Sequence, residues 1–262
     1  MTKKYFLPLF FIDIVRILRA LKLKITYKNI LRPNIDHKDK FQDEDVFIIG
    51  NGPAITNENL SKLRNKNIIT MNDFHKSMFS KEMNIVAHCS GEPHTSSAWT
   101  DPSIMIENIK AESFWFNIFD YTVMSKIETI TKDINYVNPG YSSEFFKSKI
   151  NLCGICFNYQ TTAQLAIQVA IYMGFKNIYL LGFNHDWLAS PKMTKHFFSN
   201  EKQENDKIDE KSYLDLIEMC SDIWNMYSTL NLCSQKKSAR IINLNKESFL
   251  DVFEFQEFDD VI

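Results

Sequence analysis

Residues able to hold a ligand recur along this chain wherever a short apolar run ends. Gly50-Asn51-Gly52-Pro53 follows Val46-Phe47-Ile48-Ile49, and Asn72-Asp73 follows Ile68-Ile69-Thr70-Met71. His88-Cys89-Ser90-Gly91 follows Ile85-Val86-Ala87, and Asn117 closes Phe114-Trp115-Phe116. Gly182-Phe183-Asn184-His185-Asp186 closes Ile178-Tyr179-Leu180-Leu181. A glycine lets the backbone approach a phosphate or ribose with its N–H free to donate, and Asn, Ser and His add side-chain hydrogen bonds. Taken alone, Gly-x-Gly suits a plain turn equally well. It lacks the third glycine of the dinucleotide fingerprint, and no Gly-Lys-Ser/Thr follows to make a P-loop. No Asp-x-Asp stands at a run end, so the pattern asks for no divalent metal, and Asp43-Glu44-Asp45 precedes a run and caps it. What these run ends share is an aptitude for nucleotides.

Proton transfer needs a second kind of residue. An imidazole titrates near neutral pH and suits removal of a hydroxyl proton. His196 lies in a polar stretch, as a surface residue or a base; His185 stands at a run end, as a structural residue or a base. His94 follows Glu92-Pro93, His75 reads as helical and His37 as part of a linker. Trp99, Trp115 and Trp224 read as core, with Trp187 the one worth testing as a sugar platform. Cys153-Gly-Ile-Cys156 has no second metal-ligand pair at close spacing and does not open a helix after a strand, so it reads as two buried thiols. With Cys89, Cys220 and Cys233 the cysteines number five, an odd count that suits a reducing compartment.

The elements positioning these residues follow from periodicity. The apolar runs read as buried strands over 46–49, 68–71, 85–87, 114–117, 176–182 and 239–242. Helices are expected over 57–63, over 161–173 with Gly174 as its C-cap, and over 211–232. Strand–helix alternation with near-continuously apolar strands predicts an α/β fold: a doubly wound, mostly parallel, Rossmann-like sheet. Residues 188–210 are polar, lysine-rich and aperiodic, and read as a long lid loop. Glu254 to Asp260 reads as a solvated tail. No internal repeat is present.

The N-terminus departs from this rhythm. Its apolar stretch is too short to span a bilayer, and Arg16, Arg19 and Lys22 spoil a signal peptide. Residues 1–31 read as an amphipathic helix whose basic side, through residues 1–25, suits an anionic membrane surface or a packing partner. Residues 32–45 read as a linker, and residues 46–262 as the catalytic domain. A net charge of -2 over 262 residues gives no reason to expect nucleic acid.

At Phe47-Ile48-Ile49-Gly50-Asn51-Gly52-Pro53, Met71-Asn72-Asp73-Phe74, Gln160-Thr161-Thr162 and Tyr179-Leu180-Leu181-Gly182-Phe183-Asn184 the chain resembles the bacterial sialyltransferases of glycosyltransferase family forty-two. It also resembles the motility-accessory and pterin diphosphokinase-like proteins that share the Gly-x-Gly-Pro loop. The resemblance spans roughly residues 46–186. It implies a Rossmann-like, GT-A-like fold and transfer of a nonulosonic acid from a CMP donor. Gly50, Asn51, Gly52 and Pro53 would then meet the nucleotide, Asn72 the donor, and His88 and Ser90 the donor sugar. Gln160, Thr161 and Thr162 would serve cytidine or phosphate, beside Gly182, Asn184 and Asp186. The family's base, a histidine in the mobile segment after the last strand, maps to His196, with His185 competing. One departure stands out: where the family places tyrosines for the leaving phosphate, this chain has Asn184-His185-Asp186-Trp187, leaving His185, Lys192 or Lys195 for that charge.

The expected function is thus a metal-independent transferase without cofactor, moving a sugar onto a cell-surface glycan or lipid-linked acceptor in polysaccharide or lipopolysaccharide biosynthesis. A cytoplasmic location, peripheral on the inner face of the membrane, and self-association into a homo-oligomer go with it. A Mg²⁺-dependent diphosphokinase-like enzyme and a non-catalytic nucleotide-sugar-binding protein are the other two readings.

Overall fold

Alternate residues of each strand face opposite layers, and here both layers are apolar. In the computed structural model Val46 and Ile48 enter one core while Phe47 and Ile49 enter the other. A strand buried on both faces must be covered by helices on both sides, which is why these runs carry no polar alternation. The structure describes residues 9–52, 55–94, 101–126, 133–140, 150–186 and 212–262.

The strands are β1 (Asp45–Ile49), β2 (Ile68–Met71), β3 (Ile85–Ser90), β4 (Ser113–Asn117), β5 (Asp133–Val137), β6 (Asn177–Leu181), β7 (Arg240–Asn243) and β8 (Glu254–Phe255). The helices are α1 (Leu9–Thr26), α2 (Lys28–Leu31), α3 (Asn57–Lys62), α4 (Pro102–Asn108), α5 (Tyr121–Met124), α6 (Thr162–Met173) and α7 (Tyr213–Lys236). They build one eight-stranded sheet in the order β5-β4-β3-β2-β1-β6-β7-β8, with every pairing parallel. The chain therefore winds outward from β1 in one direction, then restarts at β6 and winds outward in the other. This is the expected α/β fold.

α6 holds the centre. Leu165, Ile167, Val169, Ile171 and Met173 are all fully buried or nearly so, in the core layer shared with α7. Each such side chain contributes about 1.5–3 kcal/mol, more than the roughly 1 kcal/mol of its Thr161 cap. Gly174 ends the helix at φ 91, in the left-handed region that favours glycine.

Three stretches differ from their sequence reading. Residues 32–45 are packed rather than a tether: Asn34 is buried and donates to the Tyr136 and Leu152 carbonyls, at 2.8 and 2.7 Å. Phe41 stacks on Phe175, and the Asp39 and Phe41 N–H groups donate to the end of α6. Residues 133–137 form a strand whose mixed composition hid it, because its edge position leaves Asp133 exposed. The acidic tail contributes β8, fixed by Arg240 Nη2 donating to both Glu254 carboxylate oxygens at 2.9 and 2.7 Å. Both partners are half exposed, so this pair contributes little to stability.

β3 runs further than expected, to Ser90, and this carries His88 into the interior. Its ring is fully buried, with Nδ1 2.9 Å from Thr70 Oγ1, and burial pulls its pKa down to about 3. His88 is thereby kept neutral in the folded protein, whereas the unfolded chain takes up its proton near pH 6.5. Stability is thus lost as pH falls from about 6.5 toward 3, by up to about 1.4 kcal/mol per pH unit from this group. His88→Phe should flatten the acid limb of a melting-temperature profile; an unchanged slope would count against this assignment.

Candidate active site

The direction of winding changes between β1 and β6, and the loops leaving these two strands part to form a crevice. A cleft of about 560 Å³ opens there. Its floor is made by the two glycine loops, strapped together by Gly50 N donating to the Leu181 carbonyl at 2.8 Å and Gly52 N to the Gly182 carbonyl at 3.0 Å. A Cβ on Gly50 would come within 2.6 Å of the Gly182 oxygen, and one on Gly52 would strike the same oxygen and Asn184 Oδ1. These glycines are needed because backbone meets backbone. That is a different reason from ligand approach, and it makes Gly52→Val a folding lesion rather than a probe of binding.

Asn51, Asn72, Gln160, Thr161, Thr162, Asn184 and Asp186 line the cleft with Gly50, Gly52 and Gly182. Asn72 sits at φ 49 and His185 at φ 52, left-handed conformations held by non-glycine residues. Such conformations cost roughly 1–3 kcal/mol each and persist only where the surroundings enforce them. At Asn184 that enforcement is visible next door: its carbonyl accepts from Phe249 N at 3.0 Å and from Ser248 Oγ at 3.1 Å.

The far wall is a knot of polar groups. Asn117 Nδ2 donates to Tyr159 Oη at 3.0 Å and to the Gly91 carbonyl at 3.2 Å, and Tyr159 donates to the same carbonyl at 3.1 Å. Thr162 Oγ1 accepts from Gly91 N at 3.3 Å. The N-terminus of α6 opens onto this wall. Thr161 caps the Gln164 N–H, and helix geometry leaves the Thr162 and Ala163 N–H groups without intrahelical partners, at the positive end of the helix dipole.

The histidines divide. His185 is buried, its Nε2 lies 2.9 Å from Tyr227 Oη, and burial lowers its pKa to about 4. His94 packs against Asp120, whose carboxylate accepts the His94 N–H at 2.7 Å and lies 3.1 Å from its Nδ1. Ser90 Oγ is 3.3 Å from His94 Nε2, so Ser90 serves the loop wall rather than the cleft. His88 is likewise absent from the lining, for the reason of strand length given above. Pro53, Trp99, Trp187, Lys192, Lys195, His196 and the expected lid at 188–210 lie outside the described residues.

Sequence reading missed Tyr159 and Tyr227, both lining the cleft. Tyr227 stands on α7, a helix whose apolar period hides it among core positions. It brings a phenol to the wall beside His185.

Two features bear on the ligand. Asn51 Oδ1 and Asn184 Oδ1 are buried acceptors without a hydrogen-bond partner among the described residues, and both residues line the cleft. Among the described lining residues Glu92 and Asp186 are acidic and none is Lys or Arg. An anion in this part of the cleft would be met by the α6 N-terminus and neutral donors.

No family model matches the chain, and no curated protein does. Solved structures do. The sialyltransferase CstII from Campylobacter jejuni, in complex with the substrate analogue cytidine-5'-monophosphate, is 14% identical, with 82% of this chain and 85% of that chain covered at a TM-score of 0.47. The alpha-2,3-sialyltransferase from Campylobacter jejuni in apo form is 16% identical over 84% of each chain, at 0.44. The MAf glycosyltransferase from Magnetospirillum magneticum is 15% identical, at 0.49, over 98% of this chain. This chain spans 43% of that protein's length. The neighbours are glycosyltransferases. The likeness is one of architecture, and the functional reading rests on the cleft.

Proposed function

We propose that the chain is a glycosyltransferase that takes a sugar from a nucleotide donor carrying a single phosphate, a CMP-activated nonulosonic acid of the sialic-acid type, and delivers it to a glycan or lipid-linked acceptor. One observation carries this: the orphaned Asn51 and Asn184 acceptors flank the strand switch, and the facing wall carries a helix N-terminus. Donor hydroxyls or amines of a nucleoside satisfy the former, and a phosphate the latter. Cytidine itself comes from the resemblance.

In this reading the acceptor hydroxyl attacks the anomeric carbon, the bond to the phosphate oxygen breaks, and the configuration inverts. A histidine takes the hydroxyl proton, His196 by the resemblance and His185 by position. Charge developing on the departing phosphate is met by the α6 N-terminus and by hydroxyl donors such as Thr161 and Tyr227. A lipid-linked acceptor would call for the enzyme to sit peripherally on the inner membrane face.

The test is a thermal-shift comparison of CMP with UDP, GDP and adenine nucleotides, with and without Mg²⁺, since a ligand bound to the folded state raises stability by mass action. CMP should give the largest shift, and Asn51→Ala and Asn184→Ala should each weaken it by roughly tenfold, the loss of one hydrogen bond. Sugar transfer should survive EDTA. A preference for ATP with Mg²⁺, or turnover lost on chelation and restored by Mg²⁺, would move the assignment to the diphosphokinase-like reading.

A further inference from the structure

The N-terminal helix shows two unlike faces. Ala20 is 1% exposed and its carbonyl accepts from Asn138 Nδ2 at 3.2 Å, so this side seats on the sheet. The Arg19 guanidinium lies 5.4 Å over the Phe119 ring, and Tyr27 meets Tyr121 edge-on at 5.9 Å. The opposite side points outward and is apolar: Val15 is 65% exposed, Leu18 60%, Leu21 40% and Ile25 77%, and Ile35 beside them is 51% exposed. Scattered surface leucines are ordinary, whereas a stripe at helical spacing is not. Exposed cations stand within the stripe, at Lys22, and beside it. Lys22, Lys24, Lys28 and Arg32 are all exposed, and Lys24, Lys28 and Arg32 line a groove with Ile25, Ile35 and Cys153. α1 carries one acid, Asp13, against Arg16, Arg19, Lys22 and Lys24.

We infer that this face docks on an anionic lipid bilayer, with Val15, Leu18, Leu21 and Ile25 entering the headgroup boundary and the groove cations on lipid phosphates. The pairing of an apolar stripe with basic flanks is what an interfacial helix requires, and no described helix is long and apolar enough to cross a membrane. A second copy of the chain is the poorer occupant, because isologous pairing would bring the same lysines face to face.

The placement has a consequence for the cleft. Asn138, Phe119 and Tyr121, which hold α1 and α2, follow the carboxyl ends of β5 and β4, and in a fully parallel sheet those ends share one rim with the cleft. Pro139, next to Asn138, lines the cleft itself. Docking through α1 therefore sets the mouth of the cleft beside the bilayer, where a lipid-linked acceptor would be presented. That last step rests on the transferase reading, whereas the docking does not.

Co-sedimentation of the full chain with vesicles tests both. The protein should pellet with phosphatidylcholine vesicles containing phosphatidylglycerol and stay in solution with phosphatidylcholine alone. Lys24→Glu with Lys28→Glu, and separately Leu18→Asp with Ile25→Asp, should each lower the bound fraction by roughly tenfold or more. Both variants should keep the CMP thermal shift of the parent. Binding that is absent, indifferent to phosphatidylglycerol or unchanged in both variants would overturn the docking. So would a parent dimer that Leu18→Asp converts to monomer. Normal vesicle binding by a protein that CMP does not stabilise upholds the docking and sinks the transferase reading.

Discussion

On the proposed transferase reading with His196 as its base, His196→Ala should lower turnover by roughly 10²–10⁴-fold and leave nucleotide affinity nearly intact. A base acts on the acceptor hydroxyl and contributes nothing to holding the donor, so the loss falls on kcat. The segment carrying His196 follows the β6 end, where a loop closing over the cleft would exclude water and limit hydrolysis of the donor. His185 is the internal control. Its pKa of about 4 makes it a weak base at neutral pH, and its Nε2 is engaged with Tyr227. His185→Ala should therefore cost stability more than turnover. The pH–rate profile separates the two: a rise near pH 6.5 belongs to an ordinary histidine, a rise near 4 to His185. A dead His185→Ala beside a nearly normal His196→Ala would reverse the assignment, and indifference to both would remove histidine from the chemistry.

Asp120→Ala should destabilise the fold by about 1–3 kcal/mol for each hydrogen-bonding group it leaves unsatisfied. Asp120 is fully buried and accepts two hydrogen bonds from His94, one from its backbone N–H at 2.7 Å and one at its Nδ1 at 3.1 Å. Removing the carboxylate leaves both groups buried without an acceptor, and the desolvation cost of each is then uncompensated. The Gly91-Glu92-Pro93 wall of the cleft hangs on this anchor, so donor affinity should fall with stability. Asp120→Asn keeps one acceptor oxygen and should lose less. Urea unfolding decides it: a midpoint within the range of an ordinary surface substitution, about 0.5 kcal/mol, would show that the pair is dispensable.

Much of the scaffold was legible because its signals are local. The apolar runs at 46–49, 68–71 and 177–181 could be buried on both faces only in a covered parallel sheet, and Thr161 and Gly174 bracket α6 with their own cap chemistry. β5 and β8 were not legible, since Asp133 and Glu254 are exposed at the sheet edges and the buried Asn135, donating to Asp133, interrupts what would be an apolar run. His88 shows the limit at the site: three more residues of strand turn an apparent loop histidine into a core one.

The residues of this chain determined by themselves that polar and glycine positions would stand at strand ends, because chain breakers and apolar periodicity act within a few residues. Only the tertiary structure decided which of those ends meet. The reversal of winding between β1 and β6 puts Asn51 beside Asn184, and α7 delivers Tyr227 to the same wall from far along the chain. Asp120 finds His94 because β4 pairs with β3. The glycines changed meaning for the same reason: Gly50 and Gly52 are small because the Gly182 loop lies against them, a contact between segments that no local pattern encodes.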